Sequence, residues 1–273
     1  MSTIVARSYL FVPGNRPERF AKACAAGAHA VILDLEDAVP PAQKLAARAA
    51  VAEWLTAQQP AYVRINSADT EWFADDLALC GLPGVAGIVL PKAERVEHLA
   101  HVAAAGARAI LPLIESARGF WNLHAIATAP KVQRLVFGTI DFSFDMGMEE
   151  GATQLLPYRS QLVLVSRVAG IGAPVDGVTT SLDEAGRIEA DTRHARGLGF
   201  GGKLCIHPKQ VAHVNRGFVP SAEALAWAVR VCAAAAAADG AAIAVDGKMV
   251  DRPVILIAQQ MLEEARRSKG MSD

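Results

Sequence analysis

The chain has 273 residues, a formal net charge of −1, 20% charged residues and 52% hydrophobic ones. That length supports one large core, and the near-neutral balance gives no reason to expect nucleic acid or a membrane surface as a general partner. The four cysteines are at neither metal-knuckle nor redox spacing. The N-terminal residues lack a basic segment followed by an apolar core, and no run approaches about 18 uninterrupted apolar residues, so a cytoplasmic protein without a membrane span is expected.

Short apolar runs alternate with Ala-, Leu- and charge-rich stretches of helical character. Strands are predicted at 7–13, 30–34, 61–65, 87–90, 109–114, 135–140, 173–178 and 203–206. Eight strands alternating with helices in this length imply a closed parallel (β/α)₈ TIM barrel, with an open doubly wound sheet as the alternative. In a barrel the chemistry gathers at the C-terminal ends of the strands.

After the first strand, Phe11, Pro13 and Gly14 lead into a segment carrying Arg16, Arg19 and Lys22. These cations suit the phosphates of a coenzyme tail or form a solvated helix face. The second strand ends in the acidic corner Asp34, Glu36 and Asp37, which needs nearby cations and reads as support for a metal site more than as its ligands. Residues 44–55 form a predicted helix with Leu45, Ala49, Ala52 and Leu55 on one face. Arg64 ends the third strand, where a guanidinium can clamp a carboxylate, stabilise an enolate or pair with the acidic corner. Lys92 follows the fourth strand as an anion-binding, Schiff-base or solvated lysine.

The next two runs each end on a lone carboxylate, Glu115 and Asp141. An acid at the end of a buried strand does not build core. Two such acids, one strand–helix unit apart, offer the oxygen ligands that a hard divalent cation needs, or else are satisfied by arginine or backbone donors. Ser181 is a predicted cap for the following helix. The run 197–202 matches GxGxxG literally but leaves a helix and enters a strand, so it reads as a connection and not as a dinucleotide loop. His207 closes the last strand as an acid–base group or a rim hydrogen-bonder. Beyond it, an extension from residue 220 contains an Ala-rich helix ending at Asp239-Gly240, a hairpin from Ala241 turning at Asp246-Gly247, and a last helix opened by Asp251-Arg252-Pro253. Two domains are expected: a catalytic barrel over 1–219 and a C-terminal extension over 220–273.

Taken in order, Arg7-Ser-Tyr-Leu-Phe-Val-Pro-Gly14, Asp34-Leu-Glu-Asp-Ala-Val39, Arg64-Ile-Asn66, Leu90-Pro-Lys92, Ile114-Glu115, Phe137-Gly-Thr-Ile-Asp141, Gly202-Lys203 and Ile206-His-Pro208 closely resemble the citrate lyase beta-subunit-like proteins. These belong to the aldolase superfamily that includes malyl-CoA and citramalyl-CoA lyases. The resemblance implies a Mg²⁺-binding barrel, commonly trimeric or a dimer of trimers, with Glu115 and Asp141 on the metal and Arg64 and Glu115 on the substrate. It also implies a lid motif, here Met249-Val250-Asp251-Arg252-Pro253 with Val for the usual Ile, whose aspartate reaches a neighbouring subunit's active site. Asp251 and Arg64 are then the catalytic pair, and Phe11, Pro13, Arg16 and Lys22 the CoA-binding candidates. The expected reaction is reversible Claisen-type cleavage of a hydroxyacyl-CoA thioester to a 2-oxo acid and an acyl-CoA. The alternatives are a pyruvate-type aldolase acting on free acids and a non-catalytic subunit that binds a carrier-protein-linked acyl group.

Overall fold

Eight of the apolar runs become parallel strands in the computed structural model, which describes residues 6–55, 60–149, 151–237 and 243–269. They are β1 (Ser8–Pro13), β2 (Ala30–Asp34), β3 (Ala61–Arg64), β4 (Val85–Leu90), β5 (Ile110–Ile114), β6 (Arg134–Phe137), β7 (Gly172–Asp176) and β8 (Gly202–Cys205). Each pairs with the next and β8 pairs with β1, so the sheet closes into a (β/α)₈ barrel and the open sheet is excluded.

The barrel interior follows from a side-chain period of two. Tyr9, Ile32, Val89, Leu111, Leu113, Val136, Val175 and Leu204 pack together inside it, with Phe11 and Tyr62 against them. One step of two further along the chain, the inward positions change character: Ile32 is followed by Asp34, Tyr62 by Arg64, and Leu113 by Glu115. Each polar residue continues a buried apolar row into the barrel mouth.

Three local expectations need correction. Strand β6 stops at Phe137, and Thr139–Asp145 is a helix, so Asp141 sits in a first helical turn and not on a strand end. The helix Lys44–Leu55 buries Lys44, Ala47, Val51 and Leu55, leaving Leu45 75% exposed. Its first inward position is a lysine because Lys44 Nζ donates to the Leu35 and Glu36 carbonyls, both at 2.7 Å. Ser181 Oγ accepts from Glu184 N at 3.3 Å, a turn ahead of the helix Ala185–Leu198, whose cap position is Glu184. The glycine-rich connection behaves as expected: Gly199 ends that helix at φ 104°.

Two compact units divide at Arg216 and Gly217. In the second, Ser221 Oγ accepts from Ala224 N at 3.1 Å and opens the helix Ala222–Ala237. Strands β9 (Ile243–Val245) and β10 (Lys248–Val250) form an antiparallel hairpin. Its turn residues Asp246 (φ 50°) and Gly247 (φ 73°) are both left-handed, the pair a tight primed turn requires. The helix Arg252–Lys269 follows, and Ala228, Val231, Val245, Val250 and Ala258 make the core of this unit. The predicted helix end at Asp239-Gly240, the strand start at Ala241 and the N-terminal Met1 to Val5 lie outside the described residues. By length and composition, the stretch Pro208–Ala237 is apolar enough to cross a membrane. It is two helices, Pro208–Gly217 and Ala222–Ala237, and the second places Ala228 and Val231 in the core just named.

Candidate active site

The β2–β3 register sets Asp34 beside Arg64. Arg64 Nε and Nη2 donate to the two Asp34 carboxylate oxygens, each at 2.6 Å, a bidentate pair that fixes the guanidinium plane. Arg64 Nη1 lies 2.9 Å from Glu36 Oε2 and 3.4 Å from Asp37 Oδ2, and the guanidinium stands 4.8 Å over the Phe11 ring. Asp34 also accepts from Glu36 N and Ala38 N. It is therefore saturated and acts by orienting Arg64. Burial pushes the Glu36 carboxyl up to about 7; Arg64 opposes that shift, and Asp37 and Asp34 add to it.

Glu115 follows β5 and is buried. Its Oε1 accepts from Lys92 N at 2.7 Å, and Lys92 takes a left-handed φ of 44° there. Burial, reinforced by the negative charge of Glu36 and less strongly by Asp141, pushes Glu115 up to about 8, against the Lys92 N–H and Arg64. Gly138 makes room for it: a Cβ at that position would stand 2.6 Å from Glu115 Cβ and 2.7 Å from its Oε2.

A cavity of about 390 Å³ joins these groups. Phe11, Pro13, Asp34, Asp37, Arg64, Glu115 and Asp141 line it, against an apolar wall of Leu113, Phe137, Val178, Leu204 and Ile206. No cluster of three His, Cys, Asp or Glu side chains suited to a metal occurs among the described residues. Two carboxylates are nonetheless what a magnesium-sized ion takes from protein, with ligand oxygens and water completing the octahedron. Glu115 is buried and faces further acids that Arg64 offsets only in part, an arrangement that a bound cation would stabilise, so the donor set fits a hard divalent cation.

The family model described as HpcH/HpaI aldolase/citrate lyase matches residues 7–208, nearly the whole barrel. The chain belongs to the HpcH/HpaI aldolase/citrate lyase family. This is a family of lyases. Its relatives include a citrate lyase subunit beta-like protein of Deinococcus radiodurans, 38% identical over 94% of this chain and 96% of that one. A (3S)-malyl-CoA thioesterase of Cereibacter sphaeroides is 34% identical over 95% and 94%. The crystal structure of CitE from Mycobacterium tuberculosis in complex with magnesium, acetoacetate and coenzyme A is similar at a TM-score of 0.86. It is 37% identical, covering 96% of this chain and 98% of that one.

Lys92, His207, Arg16, Lys22 and Asp251 fall outside the cavity lining. The acids around Lys92 outweigh its burial and raise its pKa, which opposes a Schiff-base lysine. His207 Nδ1 accepts from Lys209 N at 3.2 Å, a rim hydrogen bond within its own turn. Arg16 pairs loosely with Glu18 and Lys22 is exposed, while Phe11 and Pro13 line the cavity. Asp251 belongs to the second unit, where its Oδ1 accepts from Val254 N at 3.3 Å as a helix cap. Sequence reading missed the apolar wall and the Gly138 cradle. The period-two rows through Leu204 to Ile206 carried the first; nothing local marked the second.

Proposed function

We propose that this protein is a magnesium-dependent lyase that reversibly cleaves a hydroxyacyl-CoA thioester, of malyl, citramalyl or citryl type, into a 2-oxo acid and an acyl-CoA. The observation that carries the proposal is the convergence of Glu115, Asp141 and the oriented Arg64 on one cavity. Glu115 and Asp141 are the groups that would hold the metal. When bound, magnesium supplies a Lewis acid and a template for the hydroxyl and carboxylate of the fragment that leaves as the 2-oxo acid.

The remaining work falls to the chain. As the substrate hydroxyl gives up its proton to water, its oxygen forms the new carbonyl and the neighbouring carbon–carbon bond breaks. That electron pair passes to the thioester fragment as an enolate. A guanidinium has five N–H donors, and the acidic corner accepts from Nε, Nη1 and one side of Nη2. The rest of Arg64, kept cationic by those acids, faces the enolate oxygen. Asp251 of a neighbouring subunit returns a proton to the enolate carbon, or removes it in the condensation direction. Phe11 and Pro13 form the wall for the thioester arm. CitE's complex with magnesium, acetoacetate and coenzyme A supports this reading by likeness.

A mass-spectrometric screen of hydroxyacyl-CoA thioesters with Mg²⁺ tests the proposal. Cleavage of at least one thioester is expected, with loss of turnover in Glu115→Ala and Asp141→Ala. Full activity in both variants would overturn the metal assignment. One pocket discriminates a methylene by only about 1–3 kcal/mol, so neighbouring acyl chains should also react. The relative named (3S)-malyl-CoA thioesterase favours a second reading, hydrolysis of the thioester. The same screen separates the two: a 2-oxo acid with an acyl-CoA marks cleavage, and a hydroxy acid with free CoA marks hydrolysis.

A further inference from the structure

A second cavity, of about 190 Å³, lies in the barrel wall between the helices Ala152–Val168 and Ala185–Leu198, where β7 and β8 end. Thr139, Ile140 and Val178 line both cavities, yet the second has a different chemistry. Its two carboxylates are already engaged. Asp176 accepts from Arg159 Nε at 2.9 Å and Nη2 at 3.4 Å, and from Lys203 Nζ at 3.2 Å. Asp191 Oδ2 accepts from the Thr179 hydroxyl at 2.8 Å.

The cations and donors are not all engaged. Arg187 and His194 stand two turns apart on one helix, both line the cavity, and neither has a side-chain partner among the described residues. Ser143 also lines it. The residue is 3% exposed, and its Oγ is buried with no hydrogen-bond partner among the described residues. An orphaned buried hydroxyl costs free energy until something pairs with it. Arg159, Arg187 and Lys203 outnumber Asp176 and Asp191, so the cavity repels a cation, and an apolar occupant would leave its donors unpaired.

We propose that this cavity is a second binding site, taking a small oxyanion, either a carboxylate or a phosphate, through Ser143, Arg187 and His194, with Arg159 and Lys203 behind them. None of these residues has a part in the proposed cleavage, so the site stands apart from that reading.

Calorimetry on the metal-free full-length chain tests it, with inorganic phosphate and malonate as separate probes. Binding of at least one probe is expected, weakening as salt is added. Binding of phosphate alone assigns the site to phosphates, and binding of malonate alone assigns it to carboxylates. Arg187 is exposed, so Arg187→Ala leaves the fold intact by circular dichroism and should weaken binding about tenfold or more. Ser143→Ala should weaken it by about threefold or more. The proposal is overturned if the folded wild type binds neither probe, or if both variants bind as the wild type does. It is also overturned if Arg64→Lys, and not Arg187→Ala, abolishes binding, since the anion then occupies the larger cavity. No metal or thioester enters the measurement, so failure of the lyase reading would leave this result standing.

Discussion

Glu115 concentrates the electrostatic cost of the larger cavity. Its pKa of about 8 in the metal-free fold lies above the ordinary carboxylate value, so the group is mostly protonated at neutral pH. A folded state that holds a proton more tightly than the unfolded chain loses stability as pH rises, here between about 4.5 and 8. A cation binding to the carboxylate must displace that proton. Apparent Mg²⁺ affinity should therefore rise by up to about tenfold per pH unit below pH 8 and level off above it. Calorimetry in buffers of different ionisation enthalpy should show proton release on binding. A pH-independent affinity between pH 6 and 8 would remove Glu115 from the ligand set. Gly138 offers a milder probe of the same residue. A methyl group at 2.6 Å from Glu115 Cβ must displace the carboxylate. Gly138→Ala should cost about 1–3 kcal/mol of stability and lower Mg²⁺ affinity by about 10–100-fold. Unchanged affinity would mean that the orientation of Glu115 is not set by this contact.

At the scale of elements, β7, β8 and the helix Ala152–Val168 are tied together by one buried carboxylate. Burial alone would raise the Asp176 carboxyl, but Lys203 and Arg159 outweigh it and hold it below the ordinary range. A depressed pKa contributes stability that is present above the unfolded value, near pH 4, and is lost as pH falls through the folded one. Asp176→Asn leaves the buried Lys203 and the half-buried Arg159 without their counter-ion and should cost about 3–5 kcal/mol at pH 7 in urea denaturation. The variant should also lack part of the wild-type loss of stability in acid. Equal acid slopes would mean that Asp176 is not what couples this barrel wall to pH. The strands around this tie were legible because a doubly buried parallel strand is a continuous apolar run. Their ends were less so. The run 135–140 stays apolar while the backbone turns at Gly138 into a helix, and apolar composition does not distinguish the two. Helical spacing marks the helix Lys44–Leu55 but not its buried face. A lysine that caps two carbonyls is invisible to a count of apolar residues. Of the larger cavity, Arg64 and Glu115 were readable as the polar continuation of inward rows. The Asp176 tie depends on contacts across three elements, and no local pattern announces those.

For the whole molecule, the question is whether the second unit takes part in chemistry. Asp251 has a structural role within that unit, as the cap of the helix Arg252–Lys269. Asparagine caps a helix about as well as aspartate does, so Asp251→Asn should leave thermal stability within about 0.5 kcal/mol of the wild type. If Asp251 also handles the enolate proton, the variant should no longer exchange deuterium into the methyl group of acetyl-CoA. Undiminished exchange would confine the residue to capping. Assembly makes a sharper test possible. Suppose that Asp251 of one subunit serves the cavity of its neighbour. A chain carrying Glu115→Ala and a chain carrying Asp251→Asn are each inactive alone, because every site in either oligomer lacks one group. In a mixed oligomer formed from equal amounts, about one site in four combines an intact Glu115 with a neighbour's intact Asp251. Subunit exchange should then restore turnover to about a quarter of the wild-type level. If Asp251 acts within its own chain, no mixed site is complete and activity stays absent. Mixing two dead variants thus separates an acid–base group supplied between subunits from one supplied within a chain.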